Sequence, residues 1–107
     1  MTARHLLAVS SLLGLILAMP AQAAVEAFSL YQQHCAKCHG ESGRADTWRG
    51  YLYFASSFKS QKWQEKMSDA QILEEINQGP RIMPPFAKTL TDDEKAALIR
   101  VIRQFGR

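Results

Sequence analysis

The chain has only two cysteines, and they stand in the run Cys35-Ala36-Lys37-Cys38-His39. No other feature restricts the fold as much. Two thiols separated by two residues serve a disulfide, half of a zinc site, a dithiol redox pair, or the covalent attachment of a larger group. Each use needs different company elsewhere in the chain. A zinc site needs a second ligand pair, and the other histidines are His5 and His34 alone. A thioredoxin-type pair belongs in a strand–helix pattern, which the rest of the sequence lacks. A disulfide framework in a small secreted domain normally draws on more than two cysteines.

The N-terminus sets the compartment. Arg4 and His5 precede an apolar run from Leu6 to Met19, then Pro20 and the small residues Ala21-Gln22-Ala23. This is the layout of a secretory signal peptide over residues 1–23, cleaved after Ala23. The run is shorter than the roughly 20 residues that span a bilayer, so membrane attachment is expected only if the signal stays uncleaved. The domain is then 24–107, exported, with the bacterial periplasm as the expected location. Removing 1–23 takes Arg4 from the 13 Lys and Arg and none of the 10 Asp and Glu. The remaining charge is too mild to argue for nucleic acid. A domain this small buries little core and calls for a disulfide, a metal or another covalent support.

The elements read as helices. A first helix is expected from about Val25 to Ala36. In "SDAQILEEINQG", Ser68 caps, Gln71 stands three residues later, Ile72, Leu73 and Ile76 form an apolar face, and Gly79 stops the helix. "TDDEKAALIRVIRQFG" repeats this grammar with Thr91 and Glu94, and Ala97, Leu98, Val101, Ile102 and Phe105 form its stripe. "GESGRADTWRG" reads as loop. "YLYFASSF" fits a short strand, a short helix or an irregular wall equally well. Irregular segments this long are uncommon in a compact domain unless they have a function, and a large apolar ligand gives them something to pack against.

C-x-x-C-H is a c-type haem attachment signature. Two thiols add to the two vinyl groups along one porphyrin edge. Two spacer residues let the backbone bring both sulfurs there, and the next residue comes under the ring. Cys35 and Cys38 are thus expected as thioether links and His39 as the proximal axial ligand. Candidates for the other face of the iron are Met67, Met83 and His34. His34 is too close to the attachment point, and Met67 reads as packing before the Ser68 cap. Met83 stands in "GPRIMPPF", where Pro80, Pro84 and Pro85 stiffen the loop. It also follows His39 at a distance that lets the chain pass around a ring and return.

With these residues in view, the chain from 24 to 107 resembles the class I cytochromes c, the small monohaem electron carriers. The resemblance rests on "YQQHCAKCHGESGR", on "INQGPRIMPPFAKTLTDDEKAALIR", and on their order. Tyr31 matches an aromatic of the family's first helix, and "MPPF" matches its Met-Pro loop. The implied fold is all-α, a cytochrome c fold of three to five short helices wrapped around one covalent haem c with its iron. The resemblance also offers Trp63 as a haem propionate contact. Two departures stand out. Ala27 and Val101 occupy positions where the family often has glycine and an aromatic. No proline between His39 and Pro80 supplies the carbonyl that usually accepts the histidine ring N–H.

The implied function is one-electron transfer between redox partner proteins by a monomeric carrier rather than an enzyme. Phe54, Phe58, Leu73, Ile76 and Phe86 are expected to wall the haem. Lys37, Arg81 and Lys88 are the cations available to steer an acidic partner. The alternatives are an electron-entry subunit of a dehydrogenase or oxidase, a haem sensor or peroxidase-like protein with a displaceable Met83, and a haem-free binding protein with a Cys35–Cys38 disulfide.

Overall fold

The computed structural model describes residues 21–107, together with the isolated positions 2, 8 and 14. Most of the expected signal peptide, 1–23, therefore lies outside the described residues. Six helices follow in order: α1 Ala21–His34, α2 Ala36–His39, α3 Trp48–Leu52, α4 Gln61–Lys66, α5 Asp69–Gln78 and α6 Asp92–Phe105. That is one more than the upper end of the expected count, and α2 is a single turn. Among the described residues there is no strand, and no helix is long and apolar enough to cross a membrane.

Local chemistry explains the two later helices. Ser68 accepts from the Gln71 N–H while the Gln71 side chain accepts from the Ser68 N–H. Thr91 and Glu94 repeat the reciprocal pair at α6. Each satisfies two backbone donors that a helix start leaves orphaned. Gly79 ends α5 at φ 63°, in the left-handed region. A Cβ there would run into the Met83 carbonyl and the Pro84–Pro85 backbone, so glycine is needed for both conformation and space.

The core lies where α1 crosses α6 and α5 packs beside them. Ala27 and Tyr31, one turn apart, are buried from α1, and Leu98, Val101 and Ile102 from α6. Ile72 and Ile76 enter from α5, Phe86 and Leu90 from the following segment. Ala27 and Val101 are thus both core residues despite the departure from the family pattern. The aromatic of α6 is Phe105, one turn beyond Val101, whose ring lies 4.9 Å from that of Tyr31. Arg103 clamps α6 to the α4–α5 segment, donating to Asp69 at 2.8 Å and to the Gln64 carbonyl at 2.9 Å.

Candidate functional site

The C-x-x-C-H run is held by its backbone. α1 ends at His34, and Cys35 begins the next turn, with the His39 N–H donating to the Cys35 carbonyl at 3.0 Å. Cys35 and Cys38 are three residues apart in that turn, a spacing that puts side chains on one helical face. They are not joined to each other by a disulfide. The chain then bends back at Gly40. The Tyr31 hydroxyl donates to the Gly40 carbonyl at 2.7 Å, and the Ala45 N–H to the His39 carbonyl at 2.7 Å. The Thr47 hydroxyl caps α3, accepting from the Gly50 N–H, and donates to the Cys38 carbonyl at 2.8 Å. Gly50 packs so closely that a Cβ would strike the carbonyls of Cys38 and Ala45.

His39 has the partner that the sequence left open. Its Nδ1 lies 2.9 Å from the Ser56 carbonyl. A carbonyl only accepts, so Nδ1 carries the proton and Nε2 keeps its lone pair. The ring also stacks on Phe58, with centroids 4.4 Å apart and planes at 17°. Burial lowers the His39 pKa, opposed by the hydrogen bond to Ser56, which favours the neutral imidazole that binds metals. Burial, and then the neighbouring Cys38, push the Cys35 thiol up to about 12. Burial likewise holds the Tyr31 phenol above its usual range, so its hydroxyl remains a donor.

A cleft of about 680 Å³ opens on this run, within the size range of small-molecule and cofactor sites. Its walls bring Cys35, Cys38 and His39 together with Met83 from the loop after α5. The Met83 N–H donates to the Pro80 carbonyl at 3.1 Å, and the Phe86 N–H to the Ile76 carbonyl at 2.9 Å. Met67 is not among the residues lining this cleft; it lines an adjoining recess of about 310 Å³ that shares Glu75 and Pro80 with it. His34 also lines the cleft, with its ring edge-on to Phe86 at 5.4 Å.

The other side chains singled out in the sequence divide between the cleft, the core and the surface. Trp63 packs against Phe58 at 4.9 Å and is not part of the cleft lining. Of the five apolar walls expected, Phe54 and Phe86 line the cleft. Phe58 and Ile76 are core residues, and Leu73 is at the surface. Of the three steering cations, Lys37 and Arg81 line the cleft and Lys88 does not. Sequence reasoning missed Arg49, Tyr53 and Ser56, all of which do. The signal for the first two was Thr47, a good cap residue placed before an i, i+4 pair of polar aromatic and cation. Ser56 contributes a backbone atom and left no signal.

The residues at the cleft fit a covalent haem: two thiols on one face, an imidazole with Nε2 available, a thioether in the same cleft, and apolar walls with cationic donors. That combination on an all-helical chain defines a class I c-type cytochrome. The family model described as "Cytochrome C oxidase, cbb3-type, subunit III" matches residues 22–100. A solved structure of the KustC0563 c-type cytochrome is 43% identical, with a TM-score of 0.70, covering 76% of this chain and 98% of that one. Its tyrosine-to-phenylalanine mutant is 41% identical, with a TM-score of 0.67, covering 74% of this chain and 96% of the other. No curated protein matches. The chain belongs to the cbb3-type subunit III family of cytochrome c domains, carries haem c with its iron, and functions in haem-based electron transfer with redox partner proteins. Proteins of this class are typically exported. A haem-free protein with a Cys35–Cys38 disulfide is therefore set aside.

Proposed function

We propose that this protein is an exported, monomeric carrier that passes single electrons between a donor and an acceptor protein. Cys35 and Cys38 would hold the haem through their sulfurs, and His39 Nε2 and the Met83 sulfur would ligate its iron. The observation that carries this reading is the shared cleft, which these four residues line and Met67 does not. Haem c supplies the reversible ferric–ferrous couple, and His/Met ligation sets a higher potential than two histidines would.

The chain's own residues keep that couple simple. The Ser56 carbonyl fixes the His39 tautomer and ring orientation, the usual task of a group behind a metal-bound histidine. Pro80, Pro84, Pro85 and the turn at Gly79 restrict Met83, so little conformational freedom remains to be lost when its sulfur is held. Phe54 and Phe86 exclude water. The haem carboxylates need donors, and the proposal assigns them to Arg49 and Tyr53, which face the cleft, in place of Trp63. Signal cleavage after Ala23 and release into the periplasm complete the reading. Cleavage there would leave Ala24–His34 of α1, including the buried pair Ala27 and Tyr31.

The test is absorption spectroscopy of the purified haem protein. The wild type should show low-spin c-type bands and, when oxidised, the weak methionine-to-iron band. Met83→Ala should remove that band and lower the potential, and Met67→Ala should leave both unchanged. A high-spin wild-type spectrum would favour the sensor or peroxidase-like reading instead. A second reading is a subunit of an oxidase, supported by the description of the matching family. Against it, the chain spans nearly all of a small solved cytochrome. Co-purification of a stoichiometric oxidase from the native membrane would support the subunit reading.

A further inference from the structure

α3 presents a different side to each of three surroundings. Gly50 is buried against the backbone of the C-x-x-C-H run. Arg49 and, one turn on, Tyr53 line the cleft. Trp48, Tyr51 and Leu52, at i, i+3 and i+4, share a third side, and they are 63%, 74% and 57% exposed. None of these three lines the cleft, so a group that fills the cleft leaves them in water. Phe54 adjoins this side but lines the cleft, so it belongs to the cleft wall. Helix formation does not account for this composition. Thr47 and Gly50 already secure the turn, and tryptophan and tyrosine are middling helix formers. Exposed apolar side chains gathered on one side of a helix, rather than scattered singly, mark an interaction site.

The patch is also ordered and flanked by charge. The Arg49 guanidinium lies 4.4 Å from the centroid of the Trp48 ring, a cation–π contact that holds the indole in place. With Arg49 assigned to the haem carboxylates, the cleft lining still presents the exposed cations Lys37 and Arg81 against one acid, Glu75. Trp, Tyr and Arg are the residue types that dominate binding hot spots. An apolar surface with an acidic rim complements this arrangement. A second copy would set the same cations against these and pay like-charge repulsion. Insertion into lipid would turn the adjoining cleft mouth away from proteins in solution.

We propose that the Trp48–Tyr51–Leu52 side of α3 is the docking surface for an acidic redox partner protein, seating it beside the cleft. This rests on the carrier reading above. The test uses the haem protein on gold sensors bearing either a mixed methyl- and carboxylate-terminated monolayer or a carboxylate-only one. A quartz crystal microbalance reads binding and voltammetry reads electron transfer, so the two readings fail separately. Absence of a reversible wave with binding intact would sink the carrier function and leave the surface standing. The variant W48S/Y51S/L52S should bind the mixed monolayer about tenfold or more weakly, with carboxylate-only binding and the low-spin spectrum unchanged. Tyr51→Phe with Leu52→Met, which keeps the surface apolar, should bind as the wild type does. Equal binding of the serine variant and wild type to the mixed monolayer would overturn the proposal. So would wild-type dimers in sedimentation that the serine variant abolishes, or binding to phosphatidylglycerol vesicles that depends on the same three residues.

Discussion

Tyr31→Phe isolates one hydrogen bond that ties α1 to the segment after His39. Tyr31 is fully buried, and its hydroxyl donates to the Gly40 carbonyl at 2.7 Å, near the usual distance for O–H···O. Phenylalanine keeps the ring packing on Phe105 and Phe58 and removes the donor. The size of the loss depends on what Gly40 retains. Its carbonyl also accepts from the Gly43 N–H at 3.1 Å, so it is not left without a partner. The larger penalty for an unsatisfied buried acceptor therefore does not apply, and the loss should be that of a net hydrogen bond, about 1 kcal/mol. For a domain of this size that is roughly 4–8 °C in Tm. Thermal melts of the haem protein followed by circular dichroism measure it. The visible spectrum should not change, because Ser56, Thr47 and Ala45 still hold His39 and Cys38. A loss above about 3 kcal/mol, the range for truncating a buried aromatic, would mean that the hydroxyl organises the whole 40–46 turn. No measurable loss would mean that water replaces it freely. Either result would refute the accounting.

Two further outcomes concern α6. Lys95 is only 4% exposed, with its ammonium 2.8 Å from Asn77 Oδ1 and 3.3 Å from the solvent-exposed Asp92 carboxylate. Asn77→Leu strips a buried charge of its close partner and should cost about 1–3 kcal/mol by denaturant titration, whereas Lys95→Met, which removes the charge itself, should cost less. The reverse order would show that the lysine reaches water in solution. Glu94 is held below the usual carboxylate range by the backbone and then the side chain of Thr91. Its contribution is therefore complete above its unfolded value of 4.5 and disappears as pH falls through the lower folded value. The difference in urea midpoint between wild type and Glu94→Ala should accordingly shrink on acidification below pH 4.5, and a difference that widened would contradict the capping geometry.

What the sequence disclosed was side-chain chemistry at fixed spacing. Ser68 with Gln71 and Thr91 with Glu94 place two helix starts because each pair acts within one turn. Three prolines surround Met83, and a stiff loop is visible in the residues themselves. What stayed hidden depended on contacts across the fold. α3 has five residues and too little periodicity to register. It exists because Thr47 caps it, and its Gly50 nests against Cys38, a residue from another helix. Which aromatic faces the cleft is also a tertiary matter. Tyr53 does, through the direction of α3, and Trp63 turns instead into Phe58.

The partner of His39 shows where such reading stops. The resemblance led to a search for a proline whose carbonyl would take the ring N–H, and the segment from His39 to Pro80 has none. A carbonyl, however, is common to every residue. What selects Ser56 is the path of the chain. Phe54 adopts φ 55°, an unusual backbone for a bulky residue. On one side, the Ala55 N–H bonds the Gly50 carbonyl at 3.0 Å; on the other, the Phe58 N–H bonds the Gly43 carbonyl at 2.7 Å. These restraints present the intervening Ser56 carbonyl to Nδ1, while Phe58 stacks on the same ring. A carbonyl fixed by turns and stacking thus takes the ring N–H here without a proline. The bond uses the Ser56 backbone, and the residues that set its position are Gly43, Gly50, Phe54 and Phe58.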